Sequence, residues 1–221
     1  MDKAASWQSL AGTFLHRAVL HPGGKWRNVK RPEDREAYIS HSMRLARQLH
    51  HALRDENYYT AEALCDRGGP SWCLSIDQYR TLPPSDMLRA IDPLLVATEP
   101  IVRGILERAA TDGWKQVRTE VDDPLARLVG RKNGRLDLLA DRGSDRHPLV
   151  VELKTTPRKA PLPRQHEGAM SSTEPYAQAV AQGCHRDVEY LCVWGHMAGR
   201  GCAWSDARTV SFKMSELRNP S

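Results

Sequence analysis

Two acids, each set in an otherwise apolar run, are the residues of this chain best suited to chemistry. Asp137 lies in Arg135-Leu136-Asp137-Leu138-Leu139, and Glu152 in Val150-Val151-Glu152-Leu153-Lys154. Such runs read as β-strands, whose side chains repeat direction every second residue, so Lys154 shares a face with Glu152. The segment Asp141-Arg142-Gly143-Ser144-Asp145 between them is short enough to close an antiparallel hairpin, which brings Asp137 near Glu152. Two carboxylates in a partly buried place repel one another and lose hydration. A divalent cation relieves both costs, and Mg²⁺ or Mn²⁺ suits hard carboxylate oxygens. A lysine beside the ion can orient or help deprotonate a water nucleophile and stabilise charge growing at phosphorus. Taken singly, a strand acid usually faces solvent and a Glu-x-Lys pair is often a surface ion pair. Their order and strand context together point instead to a divalent-metal site with a lysine beside it.

The elements that must position these groups follow from periodicity and breakers. Ser9 to Leu20 places Leu10, Phe14, Leu15 and Val19 on one helical face, ended by Pro22-Gly23-Gly24. A second helix is predicted from Pro32 to about Leu53, with Glu33 and Asp34 in its first turn. Leu94 to Thr111 reads as another helix, and Pro100 places its start at Thr98 or Glu99. Strands are expected at Trp114–Val121, Gly134–Ala140, Pro148–Leu153 and Val188–Trp194, with a further edge strand over Cys202–Phe212. Thr155 to about Thr173 reads as a basic, proline-marked loop, followed by a short helix from Tyr176 to Gly183. The prediction is a mixed α/β (α+β) chain: a helical N-terminal region over 1–92, then a core over 93–221 ordered helix, three strands, helix, strand.

Gly134-Arg135-Leu136-Asp137-Leu138-Leu139 followed by Val150-Val151-Glu152-Leu153-Lys154-Thr155 resembles the signature of the PD-(D/E)xK nucleases, closest to their RecB-like exonuclease branch. Leu136 stands where the literal motif has proline. The resemblance covers about residues 93–195 and implies a restriction-endonuclease-like core. It implies Asp137 and Glu152 as metal ligands with the Leu153 carbonyl, and Lys154 as the catalytic lysine. A further acid on the preceding helix would be Glu107, rather than Glu99, either as a ligand or as a plain solvated glutamate. Glu120 is a candidate supporting acid. The branch also uses an upstream G-x-x-x-H, the form of Gly12-Thr13-Phe14-Leu15-His16, which makes His16 a candidate ligand. Its Q-x-x-x-Y helix motif is matched by Gln178, a candidate catalytic residue, but Gln182 occupies the tyrosine place.

Arg158, Lys159, Arg164 and His166 follow the lysine strand closely, and Arg131, Lys132 and Arg135 precede it. Basic groups at the rim of such a site neutralise backbone phosphates without reading sequence. The formal net charge of +5 and a pI near 9.0 agree with a polyanionic partner but do not single one out. DNA is the expected substrate, with RNA and a catalytically silent nucleic-acid-binding module as alternatives. The helical region is a candidate surface for homodimerisation or for a partner protein. No run approaches the roughly 18 apolar residues of a membrane span, and the N-terminus shows no signal-like segment, so the chain is expected in the cytoplasm. Five irregularly spaced cysteines predict neither a disulfide framework nor an iron–sulfur cluster.

Overall fold

A computed structural model describes residues 6–20, 31–66, 82–122 and 135–213. The expected helices form: α1 (Trp7–Leu20), α2 (Pro32–Arg54) and, beyond those expected, α3 (Tyr58–Asp66). Leu10, Phe14, Leu15 and Val19 of α1 are fully buried, so its apolar face is a core face. Arg17, also buried, donates from Nη2 to the Leu64 carbonyl at 2.8 Å, and the Tyr38 hydroxyl donates to the Val19 carbonyl at 2.7 Å. These bonds tie α1 to α3 and α2.

The next helix departs from expectation. α4 runs unbroken over Pro84–Thr111, with Pro93 and Pro100 inside it, rather than starting at Thr98 or Glu99. An internal proline deletes a backbone bond and costs about 3 kcal/mol. Burial of Met87, Ala90, Ile91, Leu94, Ile101, Val102 and Ile105 along the same helix outweighs that cost. The expected boundary at 92/93 therefore falls inside a continuous helix.

The strands β1 (Gln116–Asp122), β2 (Arg135–Asp141) and β3 (Leu149–Thr156) form an antiparallel meander. From β3 the chain crosses through α5 (Pro163–Cys184) to β4 (Val188–His196), which lies parallel to β3. The short strands β5 (Cys202–Trp204) and β6 (Arg208–Val210) both pair antiparallel with β4, where a single edge strand over 202–212 was expected. The sheet is mixed, ordered β1-β2-β3-β4-β5, and the class is mixed α/β.

The basic segment is also more helical than expected. Only residues 157–162 separate β3 from α5, because Pro163 is a first-turn proline and the Gln165 side chain accepts the Leu162 N–H at 3.0 Å. Pro175 lies inside α5, where the periodic reading had stopped. Arg164 and His166 thus ride on a helix.

The sheet is covered on both faces. Leu138, Ala140, Val151, Leu153, Leu191 and Val193 meet α1, α2 and α4 in one apolar cluster. Leu139, Val150, Tyr190 and Cys192 meet α5 in a second. Among the described residues, no helix is long and apolar enough to cross a membrane.

Candidate active site

The site forms where β2 and β3 part. Their pairing runs Ala140↔Leu149, Leu139↔Val150 and Leu138↔Val151. The pairing stops one residue short of Asp137 and Glu152. There the Leu153 N–H donates to Asp137 Oδ2 at 2.7 Å, so the side chain takes the place of a ladder acceptor. This fixes a carboxylate that is only 7% exposed. Its Oδ1 stands 3.7 Å from His16 Nδ1.

Glu152 accepts a charge-assisted bond from Lys154 Nζ at 2.6 Å through Oε1. Its Oε2 is buried with no hydrogen-bond partner. Burial, and next the charge of Asp137, push the Glu152 carboxyl up to about 7, against the opposing pull of Lys154 and His16. Burial disfavours the Lys154 ammonium, but Glu152 and then Asp137 outweigh it and hold its pKa above the ordinary lysine value. The acid, acid and lysine singled out in sequence are therefore neighbours that act on one another.

Helix α1 brings the histidine. A Cβ on Gly12 would lie 2.8 Å from Thr155 Oγ1 on β3, closer than real contacts allow. Glycine at this position lets the helix backbone settle onto the strand. His16, one turn on, then reaches Asp137. The Gly-x-x-x-His spacing thus combines a close approach with a side chain over the acid.

A groove of about 710 Å³ opens beside the lysine, at the carboxyl ends of the parallel strands β3 and β4. Sheets of this kind commonly take ligands there. His16, Thr13, Lys154, Arg158, Gln165 and Trp194 are among its lining residues. Gln165 and Trp194 were not anticipated. Trp194 is the register partner of Lys154 on β4, and alternation alone places the two on one face. Gln165 was hidden because its segment read as a loop.

The other expected residues are placed as follows. Arg158 lines the groove, whereas Lys159 and Arg164 are exposed nearby in sequence and are not among its lining. Gln178 is exposed on α5, its amide 3.5 Å from Glu174 Oε1, and is not among the groove residues. Glu107 is exposed in a different groove, with Arg108, Cys202 and Trp204, and Glu99 pairs with Arg103. The acid pair is met by His16 where Glu107 had been expected. Arg135 pairs through its backbone with Asp122, and Glu120 lies within β1. Arg131 and Lys132 lie outside the described residues. Cys184, Cys192 and Cys202 are free thiols.

The donor set fits a hard divalent ion. An orphaned buried oxygen of Glu152 faces the cost that a cation removes, next to a second carboxylate. Among the described residues, no three His, Cys, Asp or Glu side chains are grouped to hold an ion by themselves. Mg²⁺ typically takes one or two carboxylates and completes its shell with waters and substrate phosphate, so a two-acid site suits it. No family model matches the chain, and comparison with curated proteins and with solved structures gave no match.

Proposed function

We propose that this chain is a divalent-metal-dependent nuclease that hydrolyses DNA phosphodiester bonds, on a restriction-endonuclease-like core. The observation that carries the reading is the buried Asp137–Glu152 pair, with one Glu152 oxygen bonded to Lys154 and the other without a partner. Asp137 and Glu152 would hold Mg²⁺ or Mn²⁺, with His16, 3.7 Å from Asp137, and the Leu153 carbonyl that the family resemblance implies as further candidate donors. When bound, such an ion supplies Lewis acidity at phosphorus and water of lowered pKa.

The chain's own groups do the rest. The Asp137 carboxylate is held in place by the Leu153 amide, so little reorganisation is needed on binding. Lys154 keeps its ammonium charged beside Glu152 and offers its protons to the attacking water or to a non-bridging phosphoryl oxygen. Hydrolysis forms a bond from water oxygen to phosphorus and breaks the bond to the leaving oxygen, which takes up a proton. Arg158 and Gln165, which line the groove, would hold the flanking backbone.

The test is a panel of single-stranded DNA, duplex DNA and RNA oligonucleotides incubated with Mg²⁺, Mn²⁺ or EDTA. Cleavage in metal, none in EDTA, and loss in Glu152→Ala and Lys154→Ala is the expected outcome. Tight binding without cleavage under any metal would replace this reading with a silent binding module.

A further inference from the structure

One face of the parallel strands β3 and β4 gathers buried polar atoms that have no hydrogen-bond partner: Glu152 Oε2, Trp194 Nε1 and both ring nitrogens of His196. Glu152 belongs to the acid pair, and His196 does not line the groove beside Lys154. Trp194 does line it, is only 6% exposed, and is the register partner of Lys154. An indole N–H can only donate, and burial without an acceptor leaves it stripped of the hydration it has in water. Trp114 carries a second orphaned indole N–H, but it belongs to the apolar core and is not among the groove residues.

The other groups of the groove indicate what would meet the Trp194 N–H. Among its described lining residues there is no carboxylate. Lys154 is turned to Glu152 and His16 to Asp137, so the acids behind the groove already match these two. Arg158 is exposed, with no acidic partner among the described residues. Gln165 Oε1 accepts the Leu162 N–H, which leaves its amide nitrogen to donate. Trp194, Arg158 and Gln165 thus bring N–H donors to one groove. A phosphodiester, which only accepts and carries a charge that suits a guanidinium, complements such a set.

We propose that Trp194 and Arg158 bind the backbone phosphate next to the one attacked, the indole N–H donating to a non-bridging oxygen. Lys154 serves the attacked phosphate, and Trp194 lies across one strand spacing, about 4.8 Å, from it. The inference rests on the nuclease reading for the identity of the anion, but its main test needs no cleavage.

The experiment follows the indole N–H resonances of the ¹⁵N-labelled full chain in buffer stripped of divalent metal. A Trp194→Phe spectrum, or sequential assignment if that variant does not fold, identifies the Trp194 signal. A deoxythymidine oligomer should move it downfield, thymidine nucleoside should not, and the Trp114 signal should stay in place. Trp194→Phe and Arg158→Gln should each weaken oligomer binding about 10-fold or more. Arg158→Gln, at an exposed position, should also flatten the salt slope by about 0.7. Where the chain cleaves, Trp194→Phe should raise KM with kcat little changed, and a fall in kcat alone overturns the placement beside the attacked phosphate. A Trp194 signal unmoved by saturating oligomer overturns the inference. So does an equal shift with the nucleoside, which puts a base there, or a shift with inorganic phosphate but not with the oligomer. A shifted signal in a protein that never cleaves leaves this inference standing and removes the nuclease reading, and cleavage with an unmoved signal does the reverse.

Discussion

At the scale of single residues, Glu152 is the most informative group, because its two oxygens face opposite problems. One is held by Lys154 at 2.6 Å, and the other is buried without a partner. In the metal-free protein its carboxyl is raised from 4.5 to about 7, chiefly by burial and then by Asp137. A raised carboxyl means that the folded chain holds a proton which the unfolded chain releases, so the associated stability is complete below pH 4.5 and is lost as pH climbs through about 7. The upper limit of that loss is about 3 kcal/mol. In EDTA, the unfolding midpoint should therefore fall between pH 5 and 8, and Glu152→Gln, which cannot ionise, should flatten the fall. Equal slopes in the two proteins would show that Glu152 does not sense its surroundings in this way. A bound cation must displace the same proton, so Mn²⁺ affinity measured by calorimetry should strengthen with pH up to about 7 and then level. For Lys154, replacement by alanine should lower cleavage by at least about 100-fold, the order typical of a lost proton-transfer or charge-stabilising group. A Lys154→Ala protein with near-normal rates would leave the ammonium with no part in the chemistry.

At the scale of elements, two close approaches decide whether the site can assemble. Gly12 seats α1 on β3, and its missing Cβ would stand 2.8 Å from Thr155 Oγ1, an atom on a β-branched side chain with little freedom to move away. Gly12→Ala should destabilise the fold by about 1–3 kcal/mol and displace His16 from Asp137. Thr155→Ala in the same chain should recover much of the loss, and equal losses in the single and double variants would locate the clash elsewhere. The glycine was visible in the sequence as the first letter of Gly-x-x-x-His, but its function as a spacer needs the strand beneath it. Strand placement was legible for a related reason. Asp137 and Glu152 each interrupt an apolar run of a strand, and the bonds from the Leu153 N–H to Asp137 and from Lys154 to Glu152 set these groups side by side. Helix extent was less legible, because Pro93, Pro100, Pro163 and Pro175 are local signals against helix that tertiary burial or a first-turn position overrides. Gln178 and Glu107 were chosen by motif spacing on helices whose rotation and starting points had not been fixed. That is why neither shares the groove with Lys154.

At the scale of the whole molecule, the site draws on both the N-terminal helices and the later strands. His16 comes from the first described helix and Lys154 from the third strand, and both line one groove. Leu10, Phe14, Leu15 and Val19 belong to the same apolar cluster as Leu138, Val151 and Leu153. Burying four such side chains contributes about 6–12 kcal/mol, as much as the entire net stability of an ordinary domain. A fragment spanning 93–221 would cut α4 next to Pro93, discard α1 and α2, and expose one apolar face of the sheet. It should aggregate or show no cooperative unfolding, whereas the full chain should unfold in a single transition read alike by tryptophan fluorescence and far-ultraviolet dichroism. Were the fragment monomeric, cooperatively folded and able to cleave DNA in Mg²⁺, α1 would be dispensable and His16 would have no part in the reaction. The same result would make 93–221 an independent unit, so this one truncation tests both how the chain divides and how many of its parts build the site.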